Sequence, residues 1–294
     1  MNRGIAFALS AYLLWGLLPL YLHLLAPVSA PEILAHRIVW SLATVAPLLV
    51  ALRRLGWLRT ALAAPATLWR YALSALLISI NWILYIWSVG AGHVVDASLG
   101  YFINPLVNVL LGWLLLHERL RPGQKLPLVL AAAGVLWLTW QAGSPPWIGL
   151  TLALSFSLYG LLRKTAALGA LEGFSVEVAL LAPLALAYLA WLAAHNALGF
   201  SSASASLRAL LVAAGPFTAV PLLLFAAGAR RISFSLLGIL QYLAPTLQWL
   251  VGIYAFHEPF TFSKAVGFAL IWLALLLYAV EGLWIGRQRQ KCAT

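Results

Sequence analysis

The sequence predicts an all-α membrane protein of ten transmembrane helices, arranged as two inverted five-helix repeats, and three observations lead there. Of 294 residues, 64% are hydrophobic and only 9% are charged, whereas a soluble domain carries about 25% charged residues. Apolar runs recur along the whole chain, and roughly 20 such residues cross a bilayer as a helix. Residues of the second half also repeat those of the first at a constant spacing. The mean hydropathy of +0.96 excludes an ordinary soluble fold.

In chain order the apolar runs cover 4–25, 31–52, 69–90, 96–116, 123–141, 146–166, 174–194, 208–228, 233–256 and 262–284. Pro, Gly or basic residues separate them, and their length marks them as helices and not strands. The first run follows Met1-Asn2-Arg3, which has the look of a signal-peptide start, yet it is long enough to span and is expected to remain as an uncleaved helix.

Lys and Arg orient the helices. Arg3, then Arg53, Arg54, Arg59 and Arg70, then Arg119, Arg121 and Lys125, then Arg163 and Lys164, then Arg230 and Arg231, then Arg287, Arg289 and Lys291 fall in every second connection. The alternate connections are nearly free of positive charge, so both termini are expected in the cytoplasm. The net charge of +11 thus reads as a topology signal and not as a nucleic-acid surface. Arg37, Arg208 and Lys264 are the exceptions, two of them near helix starts where long side chains can snorkel.

The repeat has an offset of 140: Pro105 matches Pro245, Gly112 matches Gly252, His117-Glu118 matches His257-Glu258, and Glu32 matches Glu172. Trp15-Gly16 and Tyr159-Gly160 form a further pair at a slightly different spacing. The expected halves are residues 1–142 and 143–294. Five crossings per half make the second copy enter the membrane inverted, an arrangement that lets two like halves exchange conformations around one central site.

Polar side chains inside apolar runs are costly and therefore candidates for function. Asn81 and Tyr85 share a helix face, as do Tyr101, Asn104 and Asn108. The ninth run places Gln241 and Gln248 on one face, with Tyr242 and Trp249 on the adjoining one. Amides bind ammonium or carboxylate groups and rings accept apolar bodies or cations, so these residues suit a cavity for amphipathic solutes; interhelical hydrogen bonding is the other reading. Trp15 and Tyr159 are candidate aromatic walls or gates, with interface belting as the alternative. Pro105 and Pro245 each remove a helical hydrogen bond and are candidate gating bends.

Arg37 and Glu177 occupy matching positions in the second and seventh runs, on opposite sides of the membrane. Arg37 either attracts a carboxylate or joins His36 and Glu32 in a structural cluster, the latter being favoured; Glu177 either titrates or snorkels to the interface. Asp96 reads as a helix N-cap, and the His-Glu pairs as interfacial helix ends.

These residues resemble EamA domains of the drug/metabolite transporter superfamily, in which helices four and nine carry a Pro and then Gly-x-x-x-x-x-Glu: here Pro105, Gly112 and Glu118, then Pro245, Gly252 and Glu258. The stretch Glu32 to Ser41 is similar to the second helix of RarD-type members. The resemblance covers nearly the whole chain. It implies a ten-helix export carrier of the bacterial inner membrane, with a central cavity walled mainly by helices one, three, four, six, eight and nine. YddG-like relatives imply aromatic and other neutral amino acids as substrates; efflux of aromatic or cationic drugs, or a lipid flippase or structural subunit, are the alternatives.

An intramembrane enzyme is disfavoured, because no Gly-x-Ser-x-Gly, His-Glu-x-x-His or buried Asp pair occurs. No Walker loop and no cysteine cluster is present, so neither a nucleotide nor a metal is expected as cofactor. The expected partners are a small-molecule substrate and membrane lipid. Small-residue spacings such as Gly4 to Ala8 fit packing within or between chains, leaving the oligomeric state open.

Overall fold

The structure is a computed structural model that describes residues 3–53, 55–57, 65–91, 94–118, 120, 122–141, 147–256 and 261–291, and every regular element among them is helical. His257 and Glu258 lie outside the described residues. The first apolar run forms α1 (Arg3–Gly16) and α2 (Leu18–Leu24), followed by α3 (Ala30–Ala51), α4 (Pro65–Gly90) and α5 (Val94–Leu115). Then come α6 (Pro122–Gln141), α7 (Trp147–Thr165), α8 (Ala170–Ala194), the single turn α9 (Gly199–Ser202) and α10 (Ala205–Ala229). The ninth run is split into α11 (Phe234–Leu240) and α12 (Leu243–Phe256), and α13 (Phe262–Lys291) follows.

Six stretches among the described residues are long and apolar enough to cross a membrane: Arg3–Leu24, Ala30–Ala51, Pro65–Gly90, Ala170–Ala194, Ala205–Ala229 and Phe234–Phe256. Shorter apolar helices occupy Gly100–Leu115 and Ala265–Tyr278. The chain is therefore a multi-pass α-helical membrane protein. Its periphery agrees, since Trp69, Trp140, Leu136 and Leu184 are all exposed, a surface that lipid and not water accommodates.

Two local details differ from expectation. Helix α5 starts at Val94, which places Asp96 inside the first turn and not at the cap. Helix α8 starts at Ala170, four residues early, because Gly169 takes the extended cap conformation and Glu172 sits in the first turn beside the positive end of the helix dipole.

Lipid tails are as apolar as leucine, so helices associate through close packing and polar contacts instead of a hydrophobic driving force. Helix α5 lies against α7 and α11, α3 against α8 and α10, α4 against α7, and α6 against α13. Glycines set two of these contacts: a Cβ on Gly100 would stand 2.7 Å from the carbonyl oxygen of Gly149, and one on Gly134 would stand 2.8 Å from that of Gly267.

The two ends of the bundle differ in chemistry. At one, Lys164 Nζ donates to the carbonyls of Ala229 and Ile232 at 3.2 and 2.7 Å, and Arg230 donates to those of Ala166 and Leu168. At the other, the Glu32 carboxylate accepts the N–H groups of Gly199 and Phe200 at 3.1 and 2.9 Å. Arg208 donates there to the carbonyls of Phe200 and Ser201.

Candidate functional site

The polar and aromatic residues of six helical runs converge on a cleft of about 40 Å³. Tyr12, Trp15 and Leu18 come from α1 and α2, Arg37 from α3, and Asn81, Trp82 and Tyr85 from α4. Tyr101 of α5, Phe156 of α7, Gln241 at the end of α11, and Ala244 and Gln248 of α12 complete the lining.

Prolines determine where this cleft sits. A helical proline has no N–H to give to the carbonyl four residues earlier, and Pro19, Pro105 and Pro245 each stand four residues after a lining residue: Trp15, Tyr101 and Gln241. Near two of the three the helix breaks. Between α1 and α2 the carbonyl of Trp15 is taken over by the side-chain amide of Gln248, Nε2 to O 3.0 Å. Between α11 and α12 the Gln241 carbonyl accepts the N–H of Ala244 at 3.0 Å, a tightened turn. Helix α5 instead continues through Pro105, so the matched prolines 105 and 245 have unequal local effects.

The amides of the cleft are engaged with other helices. Asn81 Nδ2 donates to the Leu152 carbonyl and to Ser155 Oγ at 3.0 and 3.2 Å, joining α4 to α7. Gln241 Oε1 accepts from Asn108 Nδ2 at 3.0 Å, joining the α11 end to α5. The rings pack edge to face or tilted: Trp15 on Phe156 at 5.4 Å, Tyr85 on Tyr101 at 5.3 Å, Phe156 on Phe225 at 5.2 Å. Such contacts hold the walls in fixed orientations.

Of the residues singled out from sequence, Trp15, Asn81, Tyr85, Tyr101, Gln241 and Gln248 line the cleft. The others stand elsewhere. Asn108 sits behind Gln241, and Asn104 Oδ1 accepts from Ser157 Oγ at 2.6 Å. Tyr159 donates to Glu177 Oε2 at 3.3 Å. Tyr242 stacks on Phe102, and Trp249 packs on Phe268 and Trp272. Pro105 and Tyr242 border a separate apolar pocket of only about 10 Å³.

Arg37 also lines the cleft, and the expected Arg37–His36–Glu32 cluster is only half present. His36 Nε2 lies 3.6 Å from Glu32 Oε1, but Arg37 turns away from both. Its Nε donates to Thr218 Oγ1 at 3.0 Å and its guanidinium carbon sits 4.7 Å above the Trp82 ring. Glu177 pairs neither with Arg37 nor with solvent: it is fully buried, 3.5 Å from Arg163 Nη1, and accepts from Ser74 Oγ and Tyr159. A second cleft, lined by Tyr71, Ser74 and Arg163, adjoins this network at the basic end. A signal for the pair existed, since Glu177 lies in an apolar run and Arg163 near the preceding helix end, but helix rotation decides whether they meet.

The Gly-x-x-x-x-x-Glu spacing has a direct structural meaning in α5. His117 adopts a left-handed conformation (φ 54°) and the N–H of Glu118 returns to the carbonyl of Gly112 at 3.0 Å, a hydrogen bond that reaches back six positions and closes the helix end through a left-handed residue. That turn aims the Glu118 carboxylate at the start of α11, where it accepts the N–H groups of Phe234 and Ser235 at 2.7 and 3.0 Å and Ser235 Oγ at 2.8 Å.

Comparison with known proteins gives concordant matches. Residues 2–140 match the EamA-like transporter family. The chain is 47% identical to Protein RarD of Streptomyces exfoliatus over 287 residues, covering 98% of this chain and 91% of that protein. It is also 47% identical to an uncharacterized transporter of Pseudomonas aeruginosa over 281 residues, covering 96% of this chain and 94% of that one. A solved crystal structure of a protein shares the fold at a TM-score of 0.67, with 22% identity and 94% of this chain and 97% of the other covered.

Proposed function

The chain belongs to the EamA-like transporters of the drug/metabolite transporter superfamily, on the RarD-type branch, and from that membership we propose what it carries and how. It exports small amphipathic organic solutes, aromatic and other neutral amino acids among them, across the bacterial inner membrane by alternating access through the central cleft. The observation that carries this reading is the cleft itself. It is lined by rings and amides from both halves of the chain and lies at the level of two helix breaks, where packing can change without loss of regular hydrogen bonds.

The supporting architecture is ten crossings in two inverted halves, 1–142 and 143–294. Glu32 and its counterpart Glu172 favour it, because Glu32 binds the segment following α8 whereas Glu172 stands in the first turn of that helix, at the opposite end. The basic end with Lys164 and Arg230 is cytoplasmic in this reading, as are both termini. Pro105 and Pro245 serve as bending points, the second already open in the α11–α12 break.

Efflux of cationic drugs is the weaker reading. A cationic solute would meet the fixed positive charge of Arg37, and among the described lining residues there is no carboxylate to offset it. Uptake of labelled phenylalanine, tryptophan and threonine into proteoliposomes, with and without a proton gradient, tests the proposal. Saturable uptake that persists without the gradient is expected. Failure of all three to enter under both conditions sinks the amino-acid assignment.

A further inference from the structure

Arg37 is the one charged side chain among the described residues that line the cleft. It is only 3% exposed, its Nε is held by Thr218, and its Nη1 has no hydrogen-bond partner among the described residues. A buried cation without a counter-charge is among the costliest arrangements a protein retains. Neither buried acid, Glu32 or Glu177, relieves it. Glu32 is committed to the N–H groups of Gly199 and Phe200 and faces His36, while Glu177 is committed to Arg163. The missing negative charge is thus one that arrives with a ligand.

We propose that Arg37 binds a carboxylate on the transported solute, and that the preferred cargo is an aromatic monocarboxylate without a compensating ammonium group. This rests on the reading of the cleft as the solute path. Thr218 holds Nε and Trp82 lies against the guanidinium face, which leaves Nη1 buried and without a partner among the described residues, on a side chain that lines the cleft. A planar, pre-oriented guanidinium suits a carboxylate better than a lysine would. Trp15, Phe156 and Tyr85 supply apolar walls for a ring. The described lining holds no carboxylate to balance an ammonium, and Gln241 Oε1 already accepts from Asn108. A zwitterion brings a positive charge with no counter-charge among the described lining residues, and an amine brings only the wrong charge.

Four probes of one shape test this on purified protein: 3-phenylpropanoate, its neutral amide 3-phenylpropanamide, phenethylamine and phenylalanine. Binding is read by intrinsic tryptophan fluorescence and by the thermal unfolding shift, and transport by counterflow in proteoliposomes. The acid is expected to bind saturably, at least about tenfold tighter than the amide and tighter than phenylalanine, with the amine weakest. Arg37→Gln is expected to erase the preference of acid over amide, and Arg37→Lys to keep a reduced one. The ratio is read within each variant and does not depend on its stability. The wild-type ratio needs no variant at all.

Equal binding of acid and amide, or an acid preference that survives Arg37→Gln, overturns the proposal. The outcomes separate it from the transport reading. Counterflow of phenylalanine or the amide without any preference for the acid leaves transport standing and removes Arg37 as a carboxylate site. Arg37-dependent binding of the acid without counterflow upholds the site and removes transport.

Discussion

Gln248 of α12 donates its side-chain amide to the main-chain carbonyl of Trp15, 3.0 Å away on the first run, and this is the carbonyl that Pro19 leaves without a helical donor. One polar side chain thus repairs the defect created by a proline 229 residues away (248 minus 19) in the sequence. Inside a membrane no bulk water can do so.

Replacing Gln248 by Leu strands that carbonyl, at a cost of about 1–3 kcal/mol for an unsatisfied buried acceptor. A lowered unfolding temperature in detergent is expected. Pro19→Ala restores the N–H, so Gln248→Leu is expected to cost less in the Pro19→Ala background than in the wild type. Additive losses in the double-mutant cycle would show that the two residues are not coupled.

Breaking the Arg163–Glu177 pair is expected to be severe. Both side chains are about 1% exposed, and removing one partner of such a pair costs about 3–5 kcal/mol. Glu177→Gln should therefore lower thermal stability more than Glu32→Gln, whose carboxylate lies at a helix end. Adding Arg163→Met to Glu177→Leu should recover much of the loss, because it leaves no buried charge. Calorimetry or fluorescence-detected unfolding reads all of these.

Glu118 is expected to act on the start of α11 and not on the fold as a whole. Glu118→Ala leaves the N–H groups of Phe234 and Ser235 and the Ser235 hydroxyl without their acceptor. Faster amide hydrogen exchange at 234–240 is expected, with little change in α3 or α8. His117→Gly is expected to be tolerated, because glycine takes the left-handed conformation at that position without steric cost.

The helices were legible because each is an apolar run closed by Pro, Gly or basic residues, and every such run falls on helix in the structure. Helix breaks were legible only in part. Pro105 and Pro245 look equivalent in sequence, yet α5 stays continuous while the ninth run divides, since a freed carbonyl is kept or rescued according to what packs beside it. The site was legible as polar stripes on helix faces, but rotation about each helix axis decides which members face the cleft. Asn104 and Asn108 share a stripe with Tyr101, and only Tyr101 lines the cleft. Arg37 was read locally, with Glu32 and His36 close by in sequence. Its actual partners, Thr218 and Trp82, are 181 and 45 positions away, a separation that no local pattern encodes.

Alternating access predicts that one position in the cleft becomes reachable from both membrane faces in turn. Gln241→Cys, made with the single native cysteine Cys292 replaced by Ser, can be labelled by a membrane-impermeant thiol reagent in right-side-out and in inside-out vesicles. Labelling from both sides, with solute shifting the balance between them, is the predicted result. Labelling confined to one side whatever solute is present would contradict a carrier built around this cleft.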